Sequence, residues 1–268
     1  MALLEICCFD PASAVLAYEA GADRVELCKD REAGGTTPSY DWLVDVRGRV
    51  RIPIFTMIRP RGGNFIYSDV EFDQMKSDIK DFKAHSDGFV FGILNNDGRI
   101  DVRRTAELVK AAAPLPCTFH KAFDDTPDLL EAFDDVLNTG CSAILSSGGA
   151  HTAQAGIESL GQLVRMSQQR ITIMPGGSVR SSNISTLRAF TRADIFHSSA
   201  VPKGATEPSA SEVRQLKDQL RAIISHAPLH VQAPSRTSSQ SSDDISSTMM
   251  GSAVSIGATP VHDRHHAF

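Results

Sequence analysis

The 268 residues, 41% apolar and 22% charged, carry enough hydrophobic side chain for one sizeable core, so disorder throughout is excluded. With 27 Lys and Arg against 32 Asp and Glu, the formal charge of −5 supplies no broad positive field, and neither nucleic acid nor a membrane surface is expected as a partner. No apolar run reaches the roughly 18 residues of a spanning helix, and the opening MALLEICCFD is not a secretory signal.

Short β-rich runs alternate with amphipathic stretches along the first 225 residues. The expected strands are 3–8 (LLEICC), 23–28 (DRVELC), 52–60 (IPIFTMIRP), 88–94 (GFVFGIL), 115–123 (LPCTFHKAF), 143–149 (AILSSGG), 171–177 (ITIMPGG) and 194–200 (DIFHSSA). Helix starts are marked by Asp10 before Pro11, by Ser68 with Glu71 three residues on, and by Thr126 before Pro127; Gly21 and Gly140 mark stops. Eight such units predict an α/β fold, a closed (β/α)8 TIM-type barrel over residues 1–227. An open doubly wound sheet would show GxGxxG in its first turn; Phe9-Asp10-Pro11 stands there, and no nucleotide cofactor is indicated. Residues 228–268, rich in Ser, Thr and Pro, read as a disordered tail whose His262, His265 and His266 are a possible metal trap.

A barrel keeps its chemistry at the carboxyl ends of the strands. Strands one and two repeat a pattern, Glu5-Ile6-Cys7 and Glu26-Leu27-Cys28. Alternation puts Glu5 and Cys7 on one face, and Arg24, Glu26 and Cys28 on one face of the neighbour about 4.8 Å away. Cys7 and Cys28 are therefore either small core residues or a pair of soft ligands suited to Cu(I) or, less specifically, zinc. Five irregularly spaced cysteines without a CxxC pair point to a reducing, cytoplasmic compartment.

Arg59 and Arg61 share a strand parity where strand three runs into its loop, beside Gly62-Gly63; they either converge on one anion or neutralise the interior glutamates. His120 and Lys121 stand at the carboxyl end of strand five with Asp124 just beyond, and His197 and Ser198 take the equivalent position on strand eight. Together with Glu26 the two histidines are candidate acid/base groups. The loops SSGG (with Gly148 and Gly149) and PGGS (with Gly176 and Gly177) are either tight turns or amide cradles for a phosphate.

These phrases together, LEIC at 4–7, GADRVELC at 21–28, GGTTPS at 34–39, MIRPRGGNFIYS at 57–68, FHKAFD at 119–124, SSGG, MPGGS and FHSSA, resemble the CutC copper homeostasis family over about residues 3–200. The resemblance implies a TIM barrel, a cytoplasmic location and copper handling, with Cys7 and Cys28 matching the family's proposed copper ligands. The chain departs from the family pattern at Lys121 (usually Arg), Ser178 (usually Gly) and Ile195 (usually Glu). Two functional expectations follow: Cu(I) bound by Cys7 and Cys28, or an enzyme acting on an anionic or phosphorylated small molecule held by Arg59, Arg61 and the glycine loops. A homo-oligomer, such as a two-fold dimer, is the expected assembly.

Overall fold

A computed structural model describes residues 2–222. The expected tail and its three histidines lie outside the described residues. Eight strands alternate with eight helices: β1 Leu3–Cys8, α1 Pro11–Glu19, β2 Arg24–Leu27, α2 Tyr40–Arg49, β3 Ile54–Met57, α3 Asp69–Phe82, β4 Gly88–Phe91, α4 Val102–Ala112, β5 Cys117–Phe119, α5 Leu129–Thr139, β6 Ala143–Ser146, α6 Ile157–Ser167, β7 Thr172–Pro175, α7 Ile184–Thr191, β8 Ile195–Ser198 and α8 Ala210–Ala222. Short 3-10 turns occupy Arg31–Ala33 and Lys121–Asp125.

The sheet is parallel throughout, in the order β7-β6-β5-β4-β3-β2-β1-β8, as expected of a (β/α)8 barrel. β7 and β8 share no ladder, yet the ring nearly closes: a Cβ on Gly176, just past β7, would lie 3.4 Å from the Cβ of His197 on β8. Below the barrel, Lys217 of α8 pairs with Asp23, whose carboxylate also accepts the Leu4 backbone N–H at 2.7 Å, tying the last helix to the first two strands. Among the described residues no helix is long and apolar enough to cross a membrane.

Local signals explain most helix starts. Asp10 accepts from the Ser13 N–H at 2.7 Å with Pro11 in the first turn, and Ser68 and Glu71 form a reciprocal capping box. α6 and α7 start without a side-chain cap, and α5 starts elsewhere than expected. It begins at Leu129, capped by Asp128 through the N–H groups of Leu130 and Glu131, and not at Thr126. Residues 121–125 turn as a 3-10 helix, Thr126 closes it by donating to the Phe123 carbonyl, and the α-helix is displaced two residues downstream. The observed strands are also shorter than expected at their carboxyl ends, because past the rim the chain diverges from its neighbours and the ladder has no partner.

Backbone strain is conspicuous after β7, where Ser178 has φ +56°, a left-handed conformation that disfavours a residue with a Cβ. The Asn183 side chain donates to the Ser178 carbonyl at 2.9 Å and holds it there. Ser178→Gly is expected to stabilise the barrel by about 0.5–1 kcal/mol, the relief of strain being partly offset by the greater freedom of glycine in the unfolded chain; urea denaturation midpoints at constant m-value check this.

Candidate metal centre and barrel mouth

The barrel interior is not a plain hydrocarbon core. Glu5 on β1 and Glu26 on β2 are wholly buried, and His197 on β8 is 1% exposed. Register explains their meeting: β1 lies between β8 and β2, with Glu5 opposite His197 on one side and opposite Arg24 on the other. Glu5 Oε2 accepts from Arg24 Nε, Glu5 Oε1 bonds His197 Nδ1 at 2.7 Å, and the Arg24 guanidinium stacks 3.9 Å over the Phe55 ring.

One layer up, the two thiols approach each other. Cys7 Sγ and Cys28 Sγ are 3.8 Å apart, and Cys28 Sγ faces Glu26 Oε2 at 3.5 Å. His197 Nε2 completes the group at 3.9 Å from Glu26 Oε2, so that a sulfur, a carboxylate oxygen and an imidazole nitrogen from Cys7, Glu26 and His197 lie within 4.8 Å of one another. Glu26 Oε1 and His197 Nε2 are buried with no hydrogen-bond partner among the described residues. Cys7, Cys28, Phe55, Met57 and Val90 pack as one apolar cluster around the sulfurs.

The electrostatics divide the two carboxylates. Burial alone pushes Glu5 up, but Arg24 and His197 outweigh it and hold its carboxyl down at about 2. Glu26 lacks such a cation contact: burial raises it, His197 opposes and the Glu5 charge adds to the rise. His197 is raised, its desolvation outweighed by the carboxylates of Glu26 and Glu5. Burial pushes Cys7 well up and Cys28 up to about 12, so without an ion both are thiols.

A second group lies at the mouth, where Met57, Arg59, Phe65, His120, Lys121 and Leu145 line a cavity. His120 stacks on Phe65 with ring centroids 4.8 Å apart, and its Nδ1 accepts from the Ala122 N–H. Gly92 is required beside it, since a Cβ there would come within 2.5 Å of the imidazole. The structure thus brings Glu26 and His197 together and places His120 in a different layer.

The two arginines do not converge. Arg59 is 2% exposed and donates to four backbone carbonyls, those of Ala33, Gly34, Gly35 and Gly63, which leaves its Nε facing no acceptor among the described residues. Arg61 turns outward to Glu71 and to the carbonyls of Asn64 and Ile66. Neither pairs with an interior glutamate. Arg59 braces the loops after β2 and β3; Arg61 braces the entry to α3.

The SSGG loop is likewise occupied. Asp124 Oδ1 accepts from Ser146 Oγ and the Gly149 N–H, its Oδ2 accepts from the Ser147 N–H, Ser147 Oγ and Lys121 Nζ, and Gly148 N–H donates to Ser146 Oγ. Burial would raise the Asp124 carboxyl, but Lys121 and these donors hold it below the usual range. Lys121 Nζ also reaches Ser147 Oγ at 2.6 Å, so the SSGG amides are organised around a carboxylate belonging to the protein. Gly176 N–H donates to the Ser146 carbonyl, and Gly177, at φ +94°, passes close over Lys121 Nζ.

Sequence reasoning passed over Met57 and Phe65. Met57 has the same strand parity as Phe55 and Arg59, which would have placed it inside; Phe65 lies in an irregular loop and had no such signal.

The sequence model of the CutC family matches residues 2–202. The chain belongs to the CutC family. It is 42% identical over 241 residues to a family protein CutC of Chromobacterium violaceum, covering 81% of this chain and 98% of that one. It is 43% identical over 199 residues to the human copper homeostasis protein cutC homolog, covering 74% and 73%. The solved structure of the putative copper homeostasis protein CutC from Streptococcus agalactiae superposes with a TM-score of 0.70 at 34% identity, over 74% of this chain and 99% of that one. A thiamine phosphate pyrophosphorylase from Pyrococcus furiosus, at 16% identity and a TM-score of 0.57, shares the fold alone. Ile195 packs with Leu145 and Met174 inside the barrel.

Replacing Glu5 by Gln leaves Arg24 and His197 without their anion. The variant is expected to lose about 3 kcal/mol of stability at pH 7, read by urea unfolding. Because the folded Glu5 carboxyl is depressed, its contribution is complete above about pH 4.5 and disappears as the pH falls toward 2; the wild-type acid limb will be steeper there than that of Glu5→Gln.

Proposed function

We propose that this CutC-family chain serves copper homeostasis by holding Cu(I) between Cys7 and Cys28, inside a barrel working in a reducing, cytoplasmic compartment. The observation that carries the reading is the 3.8 Å approach of two fully buried sulfurs from adjacent strands. Soft thiolates favour Cu(I) over hard cations, and the surrounding Phe55, Met57 and Val90 keep water from the ion. All five cysteines are free, which suits a reducing environment. Met57 lines the mouth cavity and also packs in the thiol cluster, marking the direction from which an ion arrives.

The sulfurs surrender their protons when the ion binds, so uptake releases protons and strengthens as the pH rises. The test is an anaerobic Cu(I) titration against a chromophoric Cu(I) chelator. The full chain is expected to take one Cu(I). Cys7→Ser/Cys28→Ser, folded by circular dichroism, should bind more than about 100-fold more weakly, and a full-length His262→Ala/His265→Ala/His266→Ala variant should be unchanged. Unchanged affinity in the double cysteine variant overturns the reading.

A second reading is an enzyme for a small anionic molecule held at the barrel mouth. Arg59 and Lys121, held by four carbonyls and by Asp124, are charged residues of the cavity lining that would have to exchange these partners for the anion, and His120 is the acid/base candidate. Inorganic phosphate is then expected to raise the melting temperature, and His120→Ala to abolish turnover of a bound phosphate ester while leaving that thermal shift in place. No thermal shift up to tens of millimolar phosphate refutes it.

A further inference from the structure

Two sulfurs alone do not account for what surrounds them. Among the described residues Glu26 Oε1 and His197 Nε2 are buried with no hydrogen-bond partner, although buried polar atoms are nearly always paired, and the other Glu26 oxygen, Oε2, lies 3.9 Å from that nitrogen. His197 is not free to turn away. Its Nδ1 is held by Glu5 at 2.7 Å, Glu5 is held by Arg24, and Nε2 is thereby left directed at Glu26 and Cys7. A carboxylate on the far nitrogen of an imidazole is the usual outer support of a metal-binding histidine.

We infer that Cys7, Glu26 and His197, whose donor atoms lie within 4.8 Å of one another, form the core of a site for a divalent ion of the Zn(II) class, that Cys28, 3.8 Å from Cys7 Sγ and 3.5 Å from Glu26 Oε2, closes on the ion as the fourth donor, and that Glu5 and Arg24 are positioning residues. The inference rests on the reading of Cys7 and Cys28 as metal ligands and adds two donors and a second metal. Geometry supports it. A tetrahedral ion with sulfur bonds of about 2.3 Å separates two sulfurs by about 3.8 Å, which is the spacing observed. Cys28 Sγ to Glu26 Oε2 at 3.5 Å and Glu26 Oε2 to His197 Nε2 at 3.9 Å are further edges of such a polyhedron.

Donor chemistry and charge point the same way. Cu(I) favours the sulfurs and gains little from a hard carboxylate oxygen, whereas Zn(II) accepts thiolate, imidazole and carboxylate together. Two thiolates and one carboxylate, beside the self-neutralised Glu5–Arg24 pair, place three negative charges in a dry interior. A divalent ion neutralises two of them and Cu(I) one, and uncompensated buried charge is costly. The ligands come from β8, β1 and β2, so the ion also pins the strands next to the β7–β8 seam, where the ladder is missing.

The experiment uses the full chain with His262→Ala/His265→Ala/His266→Ala, freed of metal, and compares Glu26→Gln and His197→Ala in that background. Co(II) serves as the spectroscopic probe, and Zn(II) is titrated against a chromophoric chelator with Cu(I) run in parallel. One Co(II) per chain is expected, with thiolate-to-cobalt charge-transfer absorption and intense tetrahedral ligand-field bands. Glu26→Gln and His197→Ala should each weaken Zn(II) by at least about 100-fold while Cu(I) affinity changes less than about tenfold, and Glu5→Gln should weaken Zn(II) by about 10–100-fold. A weak octahedral cobalt spectrum without charge transfer in the parent protein overturns the inference even where a variant fails to fold. Zn(II) affinity indifferent to both variants overturns it too, and leaves the Cu(I) reading standing if copper still depends on the cysteines. Tight Zn(II) on all four donors with no thiol-dependent Cu(I) uptake sustains the inference and removes the Cu(I) reading.

Discussion

An ionised carboxylate sits in the middle of this barrel. Glu5 is fully buried, and an isolated charge there would be costly; it persists because Arg24 and His197, its register partners on the two flanking strands, both bond it. That arrangement fixes the rotation of the imidazole, settles which ring nitrogen faces the thiols, and engages the Arg24 guanidinium. Glu26, Cys7 and Cys28 are raised chiefly by their burial, and for Glu26 and Cys28 the Glu5 charge adds to the rise.

Above this layer the same principle recurs in a different form. Asp124 gathers hydroxyls, backbone amides and Lys121 into one knot that shapes the loop after β6, while Arg59 gathers the carbonyls of the loops after β2 and β3. Rim loops have no ladder to satisfy their peptide groups, so buried charges satisfy them instead. The rim charges are therefore mostly scaffolding, and the donors left over lie in the interior cluster. Lys121 in place of the family's usual Arg fits this account: a point charge suffices to bridge Asp124 and Ser147, and no planar fork is needed.

Much of the fold was legible in the chain: eight apolar runs, the caps at Asp10 and Ser68 and the stop at Gly140 all lie where the pattern puts them. The start of α5 was not, because Thr126-Pro127 and Asp128 are locally equivalent caps and only the 3-10 turn before them selects the second. In the site, the facing of Glu5, Cys7, Glu26 and Cys28 followed from strand alternation and adjacency, since β1 and β2 are consecutive in both sequence and sheet. Arg59 and Arg61 show the limit of parity. It predicted a shared direction, but beyond Met57 the strand has ended and alternation no longer applies.

The sequence by itself determined the repeat, the family, and the pairing of two cysteines with two interior glutamates, because these depend on local periodicity and on neighbouring strands. Only the tertiary structure decided that His197, some 190 residues from Glu5 along the chain, joins them. Ring closure makes the last strand a neighbour of the first, and no local pattern records which layer of the barrel that contact will reach.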